Sequence, residues 1–316
     1  MALTFAADPR AHPPRPADDR PVGSHGRSVR RHLTGWAFAG PATALVVGLS
    51  IFPAVWAFFI SRAKWNGIAP ATMVGWQNYE RLAGDPDMAA AARHTLLLTV
   101  LFVPASIALG ILIATALNQR IRLIGFYRTC IFVPYVASAA ATGILAGFIF
   151  NPQFGAANEA LRFLGIPAQQ FLENPSQAMY VIAIIALWGE VGFTSVIYLA
   201  ALQDIPKELI EAARMDGAGN WRVFRHVTMP ELRPVTVFTV IWQTITAMQM
   251  FDLIYTTTRG GPLNSTQTVV YYIYELAFQT QRLGYGAAAA YILFAVTMLL
   301  SLGVMWYSRR SGREGF

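Results

Sequence analysis

The chain has 316 residues, 55% of them hydrophobic and only 13% charged, and a formal net charge of +7. Soluble domains carry about 25% charged residues, so an ordinary water-soluble enzyme is excluded and an integral membrane protein is expected. A single cysteine, Cys130, excludes an intrachain disulfide, and the five histidines are too scattered to hold a metal.

The first 32 residues are rich in Pro, Arg and Asp and hold no apolar core of signal-peptide length, so they read as a disordered cytoplasmic tail. Residues 33–316 read as one helical membrane domain. Crossing ~30 Å of hydrocarbon takes about 20 apolar residues. Runs of that kind lie at 36–60, 93–117, 129–150, 178–202, 234–257 and 286–308, predicting an all-α protein with six transmembrane helices. Between the first two, residues 61–92 hold Trp65, Trp76 and Tyr79, aromatics suited to a membrane interface. A short basic turn covers 118–128. The loop 151–177 is dense in turn signals, among them Asn151-Pro152, Gly155 and Asn174-Pro175. The loop 258–285 opens with Arg259-Gly260-Gly261-Pro262.

Basic residues set the orientation. With a cytoplasmic N-terminus, fourteen lie in inside segments and seven in outside loops, leaving out the distal tail. Both termini are therefore expected inside. The net positive charge follows from this bias and from anionic lipid, and nucleic acid is not needed to explain it.

The fourth connection, about 203–233, is different in kind. Asp204-Ile205-Pro206 reads as a helix start with an acidic cap and Pro in the first turn. Ile205, Leu209, Ala212 and Ala213 then share a face, while Lys207, Glu208, Glu211 and Arg214 supply charge. Gly217 is placed to end the helix in a left-handed conformation. A second short helix over 219–226 presents Trp221 and Phe224, and Pro230 and Pro234 mark the return to the membrane. Small Ala212 and Ala213 let such a helix sink into a groove on another protein. A helix lying on lipid headgroups is the alternative, but those favour a basic face, and here the charges nearly balance.

Polar residues within apolar spans are costly and point to function or to interhelical hydrogen bonds. The fifth span has Gln243, Thr246, Gln249, Asp252 and Tyr255. On an ideal helix Thr246, Gln249 and Asp252 share an arc of about 120° with Trp242, and Gln243 lies opposite Asp252. That arc is a candidate solute path, to which the fourth span adds Trp188, Glu190 and Thr194, and the preceding loop Asn151. No phosphate-binding G-x-x-x-x-G-K-[ST] loop is present, since the only lysines, Lys64 and Lys207, follow Ala63 and Pro206. Any ATP hydrolysis must therefore reside on another chain.

The run Glu211-Ala212-Ala213-Arg214-Met215-Asp216-Gly217, nine further residues and then Val227-Thr228-Met229-Pro230 resembles the EAA motif of binding-protein-dependent ABC importer permeases. Val227 and Met229 replace the usual Ile and Leu. The likeness runs from Trp36 to the last span, with Phe126-Tyr127-Arg128, Phe150-Asn151-Pro152, Ala200-Ala201-Leu202-Gln203 and Gly260-Gly261-Pro262 among its carriers. It is similar to the maltose-type and glycerol-3-phosphate-type family, and within it to the first of the two membrane subunits. The extra N-terminal spans and large external domain of the enteric maltose-type subunit have no counterpart here.

The resemblance implies the type I importer permease fold in a bacterial cell membrane. It implies as partners a second permease subunit, two copies of an ABC ATPase that bind ATP and Mg, and an external solute-binding lipoprotein. No cofactor is expected on this chain. Glu211, Ala212, Ala213, Arg214, Asp216, Gly217 and Pro230 would couple to the ATPase. Trp242, Thr246, Gln249, Asp252, Tyr255, Trp188, Glu190 and Asn151 remain path candidates for a sugar, glycerol 3-phosphate or glycerophosphodiester. A stand-alone secondary transporter or channel is the competing reading. A membrane-embedded enzyme lacks any supporting catalytic set.

Overall fold

A computed structural model of the chain describes residues 39–119 and 122–310. The expected tail 1–32, and with it Arg27, Arg30 and Arg31, lies outside the described residues, as do Arg120 and Arg313. The chain divides into two compact units, residues 1–56 and 57–316. In the first, the described part is helical, with one wider turn at Val47–Ile51.

Among the described residues, Ala39–Ser61, Pro86–Leu117, Ala178–Asp204, Arg233–Thr257 and Leu283–Arg310 are long and apolar enough to cross a membrane. The pair Ile124–Val136 and Ala139–Ile149 makes a sixth span if counted as one. The continuous third span expected at 129–150 is thus corrected. Its halves meet at 97°, because Ala137 and Ser138 adopt extended backbone just after Pro134, which has no N–H for the helical ladder.

The second span begins seven residues before its apolar run. Asp85 caps it, its Oδ1 accepting from the Asp87 amide at 2.9 Å and the Met88 amide at 3.4 Å, and Pro86 occupies the first turn where no donor is needed. At about 1.5 Å per residue the helix is ~48 Å long, so its first turns stand beyond the hydrocarbon.

Between apolar helices in lipid, close packing and hydrogen bonding drive association more than release of water. The second and fourth spans form the most extensive helix pair, burying Leu98 and Phe102 against Ile182 and Ile185. The fourth span also meets the third at Gly192, where an added Cβ would stand 2.2 Å from the Ile131 carbonyl oxygen. A second apolar cluster gathers Leu82, Met88, Tyr272 and Ala288 at one end of the bundle. A third, holding Ala114, Tyr198, Ile205 and Leu232, gathers at the other.

The connecting loops carry more structure than their turn signals imply. Ala63–Lys64 pairs antiparallel with Thr72–Met73, Ala156–Phe163 is helical within 151–177, and Val269–Tyr274 is helical within 258–285.

Candidate functional site

The loop between the fourth and fifth spans folds into a compact helical hairpin. The fourth span runs through Asp204, so this residue ends that helix and does not cap the next one. Ile205 is extended, and Pro206 occupies the cap position of Lys207–Met215, without a side-chain capping bond. Asp204 therefore has a different role from the one its sequence suggests. Its one-residue spacing from Pro206 permits only a sharp turn there.

Gly217 does end the helix left-handed, with φ of 78°. Its amide donates to the Arg214 carbonyl at 3.0 Å and the Ala218 amide to the Ala213 carbonyl at 3.0 Å. These two bonds form a Schellman motif, which satisfies carbonyls that the helix end would otherwise leave open. The expected second helix is longer than 219–226. Asn220–Val223 continues through a wide turn at Phe224–Thr228 into Met229–Glu231, so Pro230 sits within this stretch, and Pro234 alone opens the fifth span. Trp221 and Phe224 stack at 5.7 Å between ring centroids.

The hairpin is anchored on one side only. Ile205, Val223, Thr228 and Leu232 are buried, whereas Glu211, Ala212, Arg214, Met215, Asp216 and Gly217 are exposed, and Ala213 and Pro230 are half-buried. Met215 is 89% and Trp221 69% exposed. Among the described residues neither Glu211 nor Arg214 makes an ion pair, the pair present being Arg162 with Glu159. Free charges beside large exposed apolar side chains suit contact with a protein surface.

In the bundle interior the fifth span is not one ideal helix. It is broken after Met248 and resumes at Asp252, so the arc through Thr246, Gln249 and Asp252 does not exist as drawn. The Gln249 amide closes the first piece by bonding to the Ile245 carbonyl at 3.0 Å, and Tyr255 begins the second by bonding to the Phe251 carbonyl at 2.9 Å. Gln249 and Asp252 are exposed and Thr246 is half-buried. Trp242, 42% exposed, lies beside Phe193 at 5.6 Å, which stacks on Tyr135 at 4.8 Å. This aromatic row joins the third, fourth and fifth spans. Tyr255 belongs to a second row, with Phe251 at 5.4 Å and Tyr274 at 5.4 Å.

The remaining path candidates are dispersed. Trp188 borders an apolar cavity of about 280 Å³ with Leu145, Ile149 and Ile184. Glu190 is half-buried two residues on, facing away from that cavity on a helix. The Asn151 Oδ1 accepts from the Gln153 amide at 2.9 Å and the Phe154 amide at 3.2 Å, and the residue borders another cavity of about 370 Å³ beside Gly261 and Pro262. Trp242 and Tyr255 thus fall in two aromatic rows and Trp188 and Asn151 at two separate cavities, while Glu190, Thr246, Gln249 and Asp252 belong to none of these.

Residues 106–313 match the family described as the binding-protein-dependent transport system inner membrane component. The chain belongs to this family. The lactose transport system permease protein LacF of Rhizobium radiobacter is 34% identical to this permease, over 90% of this chain and 97% of that one. The sn-glycerol-3-phosphate transport system permease protein UgpA of Agrobacterium fabrum is 32% identical, over 84% and 91%. In fold the permease is similar to a chain in the crystal structure of a bacterial alginate ABC transporter in complex with alginate pentasaccharide-bound periplasmic protein. The TM-score is 0.81 at 22% identity, over 92% of this chain and 99% of that chain. The permease is a multi-pass membrane protein with the type I importer fold.

A fully buried polar cluster in this permease's interior lies outside the candidate arc. Gln243 Nε2 donates to Thr194 Oγ1 at 2.6 Å, and Ser106 Oγ lies 3.0 Å from the same oxygen. All three side chains are fully buried, and they tie the second, fourth and fifth spans together. Gln243 Oε1 has no partner among the described residues. Gln243 therefore holds helices together, and the signal for Ser106 is that it is the one polar side chain within 100–114.

Proposed function

We propose that this chain is one of two permease subunits of a binding-protein-dependent ABC importer. In this reading Lys207–Met215 docks into a cleft of a separate ATPase chain that holds ATP and Mg, and a second ATPase copy serves the other permease. A solute-binding lipoprotein delivers cargo at the opposite end of the bundle. The positive-inside bias puts the docking helix and both termini in the cytoplasm of a bacterial cell. The observation that carries the reading is the exposed, glycine-terminated helix whose Glu211 and Arg214 lack ionic partners among the described residues.

The names of LacF and UgpA support a sugar or a glycerol-phosphate-type solute. The row Tyr135, Phe193 and Trp242 offers ring faces on which a sugar can stack, and Thr246, Gln249, Asp252 and Tyr255 offer hydrogen-bonding groups beyond it. Trp188 and Glu190 stand further along the fourth span, and Asn151 in the loop before it.

The test is uptake into proteoliposomes with and without the ATPase, for wild type and for Glu211→Ala. Uptake should need both ATP and the ATPase, and the variant should stay in the membrane yet fail to co-purify with the ATPase. Uptake by the chain alone under an ion gradient would sink the proposal.

A further inference from the structure

At the end of the bundle opposite Lys207–Met215, a cavity of about 670 Å³ opens among Lys64, Trp65, Arg81, Asp85, Arg282 and Tyr285. These residues follow the first span, precede the second and flank the start of the sixth, so the alternation of spans sets them away from the docking hairpin. The volume falls within the ~300–1,000 Å³ usual for small-molecule sites.

The walls are fixed by local bonds. Lys64 pairs with Thr72 across two short strands. The Trp65 indole N–H donates to the Ala69 carbonyl at 2.8 Å, and Asn66 Oδ1 accepts from the amides of Ile68 at 3.1 Å and Ala69 at 2.8 Å. The Gly284 amide donates to the Trp65 carbonyl at 3.2 Å, joining this loop to the sixth span. Asn78 Nδ2 donates to the carbonyls of Ser61 at 2.8 Å and Ala63 at 3.0 Å.

The charge around the cavity is unbalanced. Asp85 is the one acid among the lining residues, and its carboxylate is already engaged. The hydroxyls of Tyr272 and Tyr285 each donate to Oδ2 at 2.7 Å, while Oδ1 takes the two capping amides. Among the described residues Lys64, Arg81 and Arg282 make no ion pair. Three cations around one carboxylate leave the lining net positive, which favours an entering anion. Guanidinium pairs favour phosphate because both present matched, multidentate hydrogen-bonding geometry. The Trp65 ring, Ala69 and Pro70 leave an apolar wall for the carbon portion of such a ligand.

We propose that this cavity binds a phosphoester anion, held by Arg81, Arg282 and Lys64 with its organic part against Trp65. The ligand's source is a lipid headgroup of the adjoining leaflet or a soluble phosphoester. The orientation given under the proposed function decides only which leaflet that is, so the site can be tested even if that reading fails.

The experiment uses the full-length chain in the membrane complex in which it is purified, labelled at arginine with phenylglyoxal and read by mass spectrometry. Inorganic phosphate and glycerol 3-phosphate are added in detergent. Nanodiscs of phosphatidylcholine with and without phosphatidylglycerol form the second arm, and chloride at matched ionic strength is the control. Labelling of Arg81 and Arg282 should fall about tenfold when the site is nearly saturated, while Arg162 is unaffected. Protection by soluble phosphoanions identifies a soluble ligand, and protection confined to phosphatidylglycerol discs identifies a headgroup. In either case Arg81→Gln should remove the protection of Arg282. Equal labelling in every condition, or equal protection by chloride, overturns the site. Because labelling is read first on wild type, the result does not depend on the variant folding.

Discussion

Single residues decide both ends of the bundle. At Gly217 the backbone is left-handed, a conformation that costs a Cβ-bearing residue about 1–2 kcal/mol, with Asn the best tolerated replacement. Gly217→Ala should therefore fray Lys207–Met215, and Gly217→Asn should do so less. Hydrogen exchange of amides 211–218 should accelerate by about tenfold for Ala, the rate equivalent of ~1.4 kcal/mol. Unchanged exchange would mean the Schellman bonds do not hold the helix. At the other end, burial pushes the Asp85 carboxyl up, but the hydroxyls of Tyr285 and Tyr272 and the amides of Met88 and Asp87 outweigh it and hold the group below the usual carboxylate range. Its stabilising contribution is complete above the ordinary carboxylate pKa and is lost as pH falls through the lower folded value. Thermal melts in nanodiscs should therefore drop on acidification more steeply for wild type than for Asp85→Asn.

At the scale of elements, the fifth span is where sequence and structure part. Periodicity assumes an unbroken helix, and Gln249-Met250-Phe251 contains neither Pro nor Gly to announce a break. Cysteine substitution with water-borne maleimide tests this. Positions 249 and 252 should react, and 243, 253 and 254 should not, with no 3.6-residue period across the break. Gln243, Thr194 and Ser106 give a second test. Interhelical polar bonds in membranes are worth about 0.6 kcal/mol on average and up to ~1.7, so a Gln243→Leu, Thr194→Val cycle should show coupling in that range. Additive effects would show that the 2.6 Å bond contributes little.

These cases show what the sequence could carry. Most of the spans and the left-handed Gly217 cap are local patterns and were legible. The Pro134 that precedes the bend was visible, but not the 97° that follows from it. Asp85 reads as a helix cap once the helix is known, yet its tyrosine partners stand 187 and 200 residues away, beyond any window.

For the whole molecule, the proposed function separates docking from transmission. The exposed face of Lys207–Met215 is available to a partner, while Ile205 and Leu232 bury the hairpin against Ala114, Leu117, Tyr198 and Leu202 of the second and fourth spans. Under the proposed function, force applied to the hairpin passes through that cluster, which holds its two ends at Ile205 and Leu232. Leu232 is fully buried, and truncating a buried Leu to Ala typically costs 2–5 kcal/mol and leaves a void. A void there slackens the connection without touching the docking face. Under the proposed function, Leu232→Ala should retain the ATPase on co-purification and keep much of its ATP hydrolysis, yet lose most transport per ATP. Glu211→Ala should instead lose the ATPase itself. Parallel measurement of bound ATPase, hydrolysis and uptake distinguishes the two. If Leu232→Ala kept the wild-type ratio of transport to hydrolysis, the cluster would be only a structural seam, and motion would have to reach the bundle through the Asn220–Glu231 arm of the hairpin.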